Sequence, residues 1–123
     1  MEKNVFGEEL QTCCTSPMTG YFRDGSCRTI DSDRGTHTVC AIMTNEFLNF
    51  SASKGNDLIT PAPYYQFPGL KEGDKWCLCV SRWIEAEKAN IAPKLILEAT
   101  HEKTLEFTSL EVLVKHAFIK THD

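Results

Sequence analysis

The chain has 123 residues, of which 41% are apolar and 24% are charged, and its formal net charge is −4. This length is typical of one domain that buries its own core. The acidic balance argues against a nucleic-acid partner. We therefore expect a single domain over residues 1–123, compact from about residue 4 to about residue 119, with a frayed tail at 120–123.

No apolar run approaches the roughly 18 residues that a membrane span needs. The first residues, MEKNVFGEEL, lack the apolar segment of a secretory signal. The sequence thus predicts a cytoplasmic protein without a membrane partner. We expect its partner to be a small molecule or a protein, of unknown identity.

Two long segments have no sustained hydrophobic period, residues 11–36 and residues 55–74. Loops longer than about 12–15 residues are usually functional or disordered. Both segments contain aromatic residues, including Tyr21, Tyr64 and Phe67, whereas disordered segments are poor in aromatics. We expect both segments to be packed loops.

The stretch between the loops predicts a strand followed by a helix. Residues 37–44 are mostly apolar and β-branched at the start, which is typical of a buried strand. Thr44 or Asn45 can cap the following helix, and Gly55 is a natural stop just beyond its end.

After the second loop, residues 76–81 predict another strand and residues 82–89 a short helix, with Asn90 as a left-handed cap. Residues 94–100 and 104–107 each alternate apolar and polar positions, which predicts a β-hairpin.

The last predicted helix has apolar residues at helical spacing from Leu110 to Phe118. The sequence Thr108-Ser109-Leu110-Glu111 fits a capping box at its start. The element order predicts an α+β fold, with a small mixed or antiparallel sheet, about three helices and the two long loops.

The stretch KWCLCVSRW, residues 75–83, contains two of the six cysteines. On a strand, Cys77 and Cys79 share one face, and their spacing of about 6.5–7 Å disfavours a bond between them. Cys40 would lie beside one of them if the two predicted strands are neighbours. In the cytoplasm we expect thiols, ligands or core residues rather than disulfides.

Several roles are open to these cysteines. Zinc takes four nitrogen or sulfur ligands, which Cys27, Cys40, Cys77 and Cys79 with His37 could supply, but the usual paired C-x₂₋₄-C spacing is absent. Small buried core positions are the simpler interpretation. A reactive thiol needs a nearby cation or helix N-terminus, and we favour Cys27, beside Arg28. We expect no cofactor; the alternative is a zinc ion bound by these residues.

Polar residues concentrate in the two loops and beside the second strand, which favours a ligand pocket there. The candidate ligand-binding residues are Arg23, Asp24, Arg28, His37, Asn56, Asp57, Trp76 and Arg82. Several of these residues are equally typical of turns, as in Arg23-Asp24-Gly25.

Three hypotheses follow. The first is a ligand- or partner-binding module whose pocket is formed by loops 11–36 and 55–74. The second is a thiol- or metal-dependent protein that uses Cys27, Cys40, Cys77 and Cys79 with His37. The third is an enzyme that uses Asp24 or Asp57 with His37 as acid and base.

The strings TGYFRDGSCRT, HTVCAIMTNEFLNFS, GNDLITP, FPGLKEGDKWCLCVSRW and LEATHE resemble the uncharacterised bacterial domain-of-unknown-function family numbered 2237. The resemblance covers about residues 4–117. It implies a single domain with a shared site in the loops, and it implies no particular activity. The matching positions are Arg23, Asp24, Gly25, Cys27, His37, Cys40, Asn56, Asp57, Gly73, Asp74, Trp76, Cys77, Cys79, Arg82, Trp83 and His101.

Overall fold

A computed structural model describes residues 2–119, so the tail at 120–123 lies outside the described residues. The strands are β1 (Val39–Ile42) and β2 (Lys75–Leu78), and the α-helices are α1 (Asn45–Ser53), α2 (Val80–Lys88) and α3 (Leu110–Lys115). Short 3₁₀ helices span Pro63–Tyr65, Leu97–Ala99 and Glu102–Glu106. The predicted α+β class is confirmed. No helix in the described part is both long and apolar enough to cross a bilayer.

The sheet is one antiparallel pair, in which Val39 lies opposite Leu78, Cys40 opposite Cys77 and Ala41 opposite Trp76. Successive side chains point to opposite faces of a strand. One face of the pair therefore joins the main apolar core. The other face places Cys40 and Cys77 in a second, cysteine-rich cluster.

Helix α1 begins where the sequence predicts. The hydroxyl of Thr44 accepts a hydrogen bond of 3.0 Å from the backbone N–H of Phe47, which caps the helix. Phe47 and Leu48 are buried against the sheet. Gly55 follows the last turn with a φ of +92°, as expected for a residue that ends a helix.

The second predicted strand is too long. Strand β2 ends at Leu78, and α2 begins at Val80, two residues earlier than predicted. The backbone N–H of Val80 donates to the carbonyl of Thr36, outside the ladder of β1 and β2. A short apolar run is compatible with both a strand and a buried helical turn, so the boundary depends on this tertiary bond.

The predicted hairpin over residues 94–107 is wrong. Leu95 and Leu97 are buried as their alternation suggests, but the chain turns into two 3₁₀ helices. Ile96 donates its N–H to Cys40, at the edge of β1, and Glu102 donates to Lys3. The backbone groups are therefore satisfied by β1 and the N-terminal segment instead of by each other.

Helix α3 starts at Leu110, but its cap is Ser109, not Thr108, because the Ser109 hydroxyl accepts from Val112 N–H at 3.2 Å. The helix ends at Lys115. Leu113 is fully buried, whereas Val114 and Phe118 are about half exposed, at 50% and 51%. The apolar stripe is therefore only partly covered by the described residues.

Candidate functional site

A cavity of about 320 Å³ lies between loops 11–36 and 55–74, beside the end of β2. We call it the loop cavity. It is lined by Gly20, Tyr21, Arg23, His37, Asn56, Asp57, Leu58, Ala62, Tyr65, Phe67, Trp76, Cys77, Leu78 and Cys79. Aromatic and aliphatic walls with a few polar groups are typical of small-molecule sites.

Five of the candidate ligand-binding residues line this cavity: Arg23, His37, Asn56, Asp57 and Trp76. The remaining candidates are placed elsewhere. Asp24 and Arg28 form an exposed ion pair of 2.7 Å with each other. Arg82 lies on α2, where it donates to the carbonyl of Lys54 at 3.2 Å.

The polar centre of the cavity is His37, held by Asp33. Nδ1 of His37 lies 2.6 Å from one carboxylate oxygen of Asp33. The other oxygen accepts from the His37 backbone N–H at 2.9 Å and from the Thr29 hydroxyl at 3.0 Å. The Asp33 side chain is fully buried. Because three bonds fix this carboxylate, the tautomer and orientation of the ring are fixed with it.

Cys79 lines the same cavity as His37, and its thiol is the strongest influence that raises the pKa of the ring. Gly35 allows the two groups to come together. A Cβ placed on Gly35 would lie 3.0 Å from both Nε2 of His37 and Sγ of Cys79, and 2.5 Å from Cε1 of the ring. The order is therefore Asp33, His37, Cys79, which is the order of carboxylate, base and nucleophile in catalytic triads.

Cys79 is the N-cap residue of α2, and no side chain caps that helix. The first turn of a helix carries backbone N–H groups without intrahelical partners and a partial positive charge. Both properties favour negative charge on a sulfur or on an oxygen bound next to it. Cys79 is one of the two cysteines without a disulfide, the other being Cys14.

The electrostatics of the three groups are coupled. The hydrogen bond with Cys79 raises the pKa of His37 to about 9; burial acts against this rise, while the charges of Cys79 and Asp33 add to it. Burial alone would raise the pKa of Asp33, but hydrogen bonds from the His37 backbone and ring, the ring charge and the Thr29 hydroxyl lower it. These directions are those of an imidazolium paired with a buried carboxylate.

The lining of the cavity also includes the guanidinium of Arg23 and several aromatic rings. The guanidinium of Arg23 lies 5.0 Å from the centre of the Trp76 ring, and Tyr21 stacks on the His37 ring at 6.4 Å. Arg23 has a φ of +56°, an unusual value for a residue with a side chain. Such strained residues cluster at functional sites.

The third hypothesis, with Asp24 or Asp57 as the partner of His37, does not match these contacts. The Asp24 carboxylate binds Arg28. The Asp57 carboxylate accepts from the backbone N–H groups of Ile59 and Thr60, and the pKa of Asp57 is lowered by its bonds to Thr60 and then Ile59. The ring of His37 instead pairs with Asp33.

The expectation that the cysteines are free of disulfides is wrong for four of them. Cys13 is bonded to Cys40, and Cys27 is bonded to Cys77. Cys27 is therefore not the reactive thiol that its neighbour Arg28 suggested. The reason is tertiary: strands β1 and β2 place their cysteines under loop 11–36, which carries the two partners.

The structure places three cysteines close enough to hold a metal ion, but they are not the ligand set that the sequence suggested. The sulfur atoms of Cys13, Cys27 and Cys77 lie within 4.8 Å of one another and are buried. All three are engaged in disulfides in this structure. Cys79 and His37, two of the donors that the sequence suggested, belong to the loop cavity instead.

Sequence reasoning missed Asp33 and Gly35 as parts of the site. The signal was present in the spacing Asp33-x₃-His37, which resembles the i, i+4 spacing that places side chains together on a helix. In loop 11–36 a tight turn has the same effect, because Thr36 N–H donates to the Asp33 carbonyl at 3.1 Å. Without that turn the spacing carries no information about contact.

The fold and the site define a small α+β protein with a thiol, a histidine and a carboxylate in one loop-lined cavity. A family model described as an uncharacterized protein conserved in bacteria, DUF2237, matches residues 3–117. The chain therefore belongs to this family, as its sequence strings suggested. A comparison with curated proteins gives no match.

Proposed function

We propose that the protein is a thiol-dependent enzyme that transfers or hydrolyses the acyl group of a small molecule bound in the loop cavity. The observation that carries the proposal is the arrangement of Cys79 and His37 at the cavity wall, with the buried Asp33 carboxylate bound to His37. A nucleophile, a base that can take its proton and a carboxylate that orients the base are the parts that acyl transfer requires.

In the proposed first step, Sγ of Cys79 attacks the carbonyl carbon of the bound acyl compound. In this step the thiol proton passes to the ring of His37, so that the sulfur attacks as a thiolate. The carbonyl oxygen becomes an oxyanion. Val80 N–H already donates to Thr36 and Arg82 N–H to Cys79, so we assign Ser81 N–H, in the first turn of α2, as its donor.

Collapse of this intermediate expels the leaving group, which takes the proton from His37. The product is a thioester on Cys79. Water or a second acceptor then attacks the thioester carbonyl, with neutral His37 receiving the proton and returning it to the sulfur. Asp33 stays ionised throughout and acts as a positioning residue for the ring.

Substrate binding is assigned to the two loops. Trp76, Tyr65 and Phe67 offer apolar surface, and Arg23 offers a cation. Among residues 2–119, no carboxylate forms an ion pair with Arg23. This charge supports a substrate with an anionic group, bound through the guanidinium.

A simple binding module remains the second candidate, since the same loop cavity could hold a small ligand without any reaction. Cys79 then acts as a structural thiol that braces His37. The two candidates differ in one measurable property, the reactivity of Cys79 in the folded protein.

The test uses iodoacetamide on the native protein, followed by peptide mass spectrometry that counts modification at Cys79 and at Cys14. Both are free, half-buried cysteines, which makes Cys14 an internal control. The proposal expects Cys79 to react at least about tenfold faster than Cys14, because only Cys79 has a histidine and a helix N-terminus beside it. His37→Gln is expected to remove this advantage.

A panel of p-nitrophenyl esters of increasing acyl length then tests turnover. Burst release of nitrophenol, lost in Cys79→Ser and kept in Cys14→Ser, supports an acyl-enzyme. Equal alkylation of the two cysteines, together with no burst for any ester, would leave the binding module as the function.

We also propose that the protein is located in the cytoplasm and that a zinc ion is its alternative cofactor. Disulfides persist mainly in oxidising compartments, so a cytoplasmic location would open the two bonds. Zinc fits the buried sulfur atoms better than the loop cavity, because three sulfur atoms meet there and only one thiol and one ring meet in the cavity. Cell fractionation followed by thiol labelling of the whole protein distinguishes the two redox states.

A further inference from the structure

We infer that the four buried cysteines Cys13, Cys27, Cys40 and Cys77 form a zinc site when their two disulfides are reduced. The site is independent of the reaction proposed at Cys79.

The sheet places two of these cysteines next to each other. Cys40 lies directly opposite Cys77 in the antiparallel pair. Their N–H groups donate to the hydroxyls of Thr100 and Thr19, so the two residues do not bond to each other through the backbone. Such non-hydrogen-bonded pairs have Cα atoms about 4.5 Å apart and the closest side chains of a sheet.

Loop 11–36 supplies the other two sulfur atoms. Each strand cysteine is bonded to a loop cysteine, Cys40 to Cys13 and Cys77 to Cys27. The two disulfides also touch, because the sulfur atoms of Cys13, Cys27 and Cys77 all lie within 4.8 Å of one another. Three sulfur atoms thus meet under the sheet, and the fourth, that of Cys40, is bonded to Cys13 at the edge of this group.

This spacing suits zinc. A tetrahedral site has Zn–S bonds of about 2.3 Å, which places its sulfur atoms about 3.8 Å apart. Cys27 and Cys40 are fully buried, and Cys13 and Cys77 are 5% and 1% exposed. Four thiolates leave the zinc ion no open coordination position, which is typical of structural zinc.

The other two cysteines are excluded by position. Cys79 lies next to His37 in the loop cavity. Cys14 follows Cys13 along the chain, but it is half-buried and has no disulfide partner in the cluster. The ligand set is therefore specific, and it offers a matched control one residue from a ligand.

Each disulfide takes two electrons from a phosphine and two protons from water, and the oxygen of that water leaves in the phosphine oxide; a dithiol supplies both electrons and protons as it closes to its own disulfide. The four thiols that form lose their protons to solvent as they bind Zn²⁺. Zinc affinity is accordingly expected to rise with pH and to vanish in the oxidised protein.

The experiment reduces the full chain anaerobically with a phosphine, removes the phosphine and titrates zinc against a chromogenic chelator. We expect one zinc ion per reduced chain and none per oxidised chain. Cys13→Ser, Cys27→Ser, Cys40→Ser and Cys77→Ser should each weaken zinc binding at least about tenfold. Cys14→Ser and Cys79→Ser should bind zinc like the unmodified chain.

If reduction unfolds the protein, the site is tested by circular dichroism of the reduced chain, measured before and after zinc is added. Recovery of the helical signal on zinc addition supports the site, since zinc then replaces the disulfides as the cross-link. Cobalt(II) in place of zinc should give the absorption of a tetrathiolate centre. A folded, reduced chain that binds no zinc, a reduced chain that zinc fails to refold, or equal loss of affinity in Cys14→Ser would overturn the inference.

Discussion

Nδ1 of His37 lies 2.6 Å from Oδ1 of Asp33, and the Asp33 side chain has no exposed surface. The carboxylate also accepts from Thr29 and from the His37 backbone. A buried carboxylate with this many partners holds its imidazole in one orientation. The reactivity that we expect of Cys79 depends on this pair of residues.

Asp33→Asn keeps the shape of the side chain but removes its charge. We expect alkylation of Cys79 to slow by about 10²-fold or more, because the ring is no longer held as an imidazolium. We also expect a loss of about 1.5–3 kcal/mol in the free energy of unfolding, from a weakened hydrogen bond to a charged group. Alkylation rates and urea unfolding measure the two effects.

Asp24→Asn is the matched control, since Asp24 pairs with Arg28 at the surface. Exposed pairs contribute about 0–1 kcal/mol, so stability should change little and Cys79 should keep its reactivity. Similar slowing in both variants would show that net charge, not the contact with His37, controls the thiol.

The raised pKa of His37 links stability to pH. The folded value is about 9, whereas an unfolded histidine titrates near 6.5. The stabilisation by protonated His37 is therefore complete below about pH 6.5, decreases between 6.5 and 9, and is lost above about pH 9. Unfolding free energies of the unmodified chain and of His37→Gln, measured from pH 6 to 10, should converge at the alkaline end.

The ring itself can be followed by NMR. The Cε1 proton of His37 should titrate near 9 in the unmodified chain and at lower pH in Cys79→Ser, because the bond with the sulfur is the largest cause of the shift. An unchanged midpoint in Cys79→Ser would show that Asp33 alone sets the pKa of His37.

Gly35→Ala should separate the ring from the thiol. The added Cβ would lie 2.5 Å from Cε1 of His37, so the ring must shift away from Cys79. We expect at least a tenfold slower alkylation of Cys79, about the loss expected when a base is displaced.

Gly73→Ala is the control variant. Its new Cβ would have open space around it, but residue 73 has a φ of +93°. It should lower stability by about 1 kcal/mol through backbone strain and leave Cys79 reactive. If Gly35→Ala loses stability but keeps the reactive thiol, the contact between His37 and Cys79 is not what activates the sulfur.

Arg23→Gln tests the charge preference of the loop cavity. We expect carboxylate-bearing compounds to bind at least about tenfold more weakly, from the loss of a charge-assisted hydrogen bond, while uncharged aromatic compounds bind as before. A thermal-shift screen with matched acid and amide pairs measures this difference. Equal weakening for both members of a pair would indicate that Arg23 acts only by packing on Trp76.

Trp83 tests the packing that positions α2 and with it Cys79. The indole is fully buried, and its Nε1 donates to the carbonyl of Pro93 at 3.1 Å. Trp83→Ala should lower the unfolding free energy by about 3–5 kcal/mol. Tyr64→Ala, at a side chain that is 90% exposed, should change it by less than about 0.5 kcal/mol.

Local patterns in the sequence predicted those elements that local contacts control. Thr44 and Gly55 mark both ends of α1, because a cap and a left-handed stop act within a few residues. The alternation in residues 94–100 predicted the burial of Leu95 and Leu97 but not their backbone structure. Side-chain burial depends on residue type, whereas a ladder needs a distant partner.

The cysteines also have some properties that the local sequence predicts and others that depend on the tertiary structure. Their identity and spacing already disfavoured a bond between Cys77 and Cys79, since adjacent positions on one strand face are too far apart. Which cysteine meets Cys13, Cys27 or His37 depends on how loop 11–36 folds over the sheet. That folding separated four cysteines into a buried cluster and left Cys79 in the cavity.

By itself, the sequence determined the α+β class, the family, the ends of α1, and the two loops beside which the cavity lies. Only the tertiary structure decided that Asp33 binds His37 beside Cys79 and that two disulfides form under the sheet. The physical reason is the distance along the chain over which each interaction acts. Caps, turns and hydrophobic periods act over a few residues, while His37 and Cys79 line one cavity only because loop 11–36 and the start of helix α2 lie at the same end of strand β2.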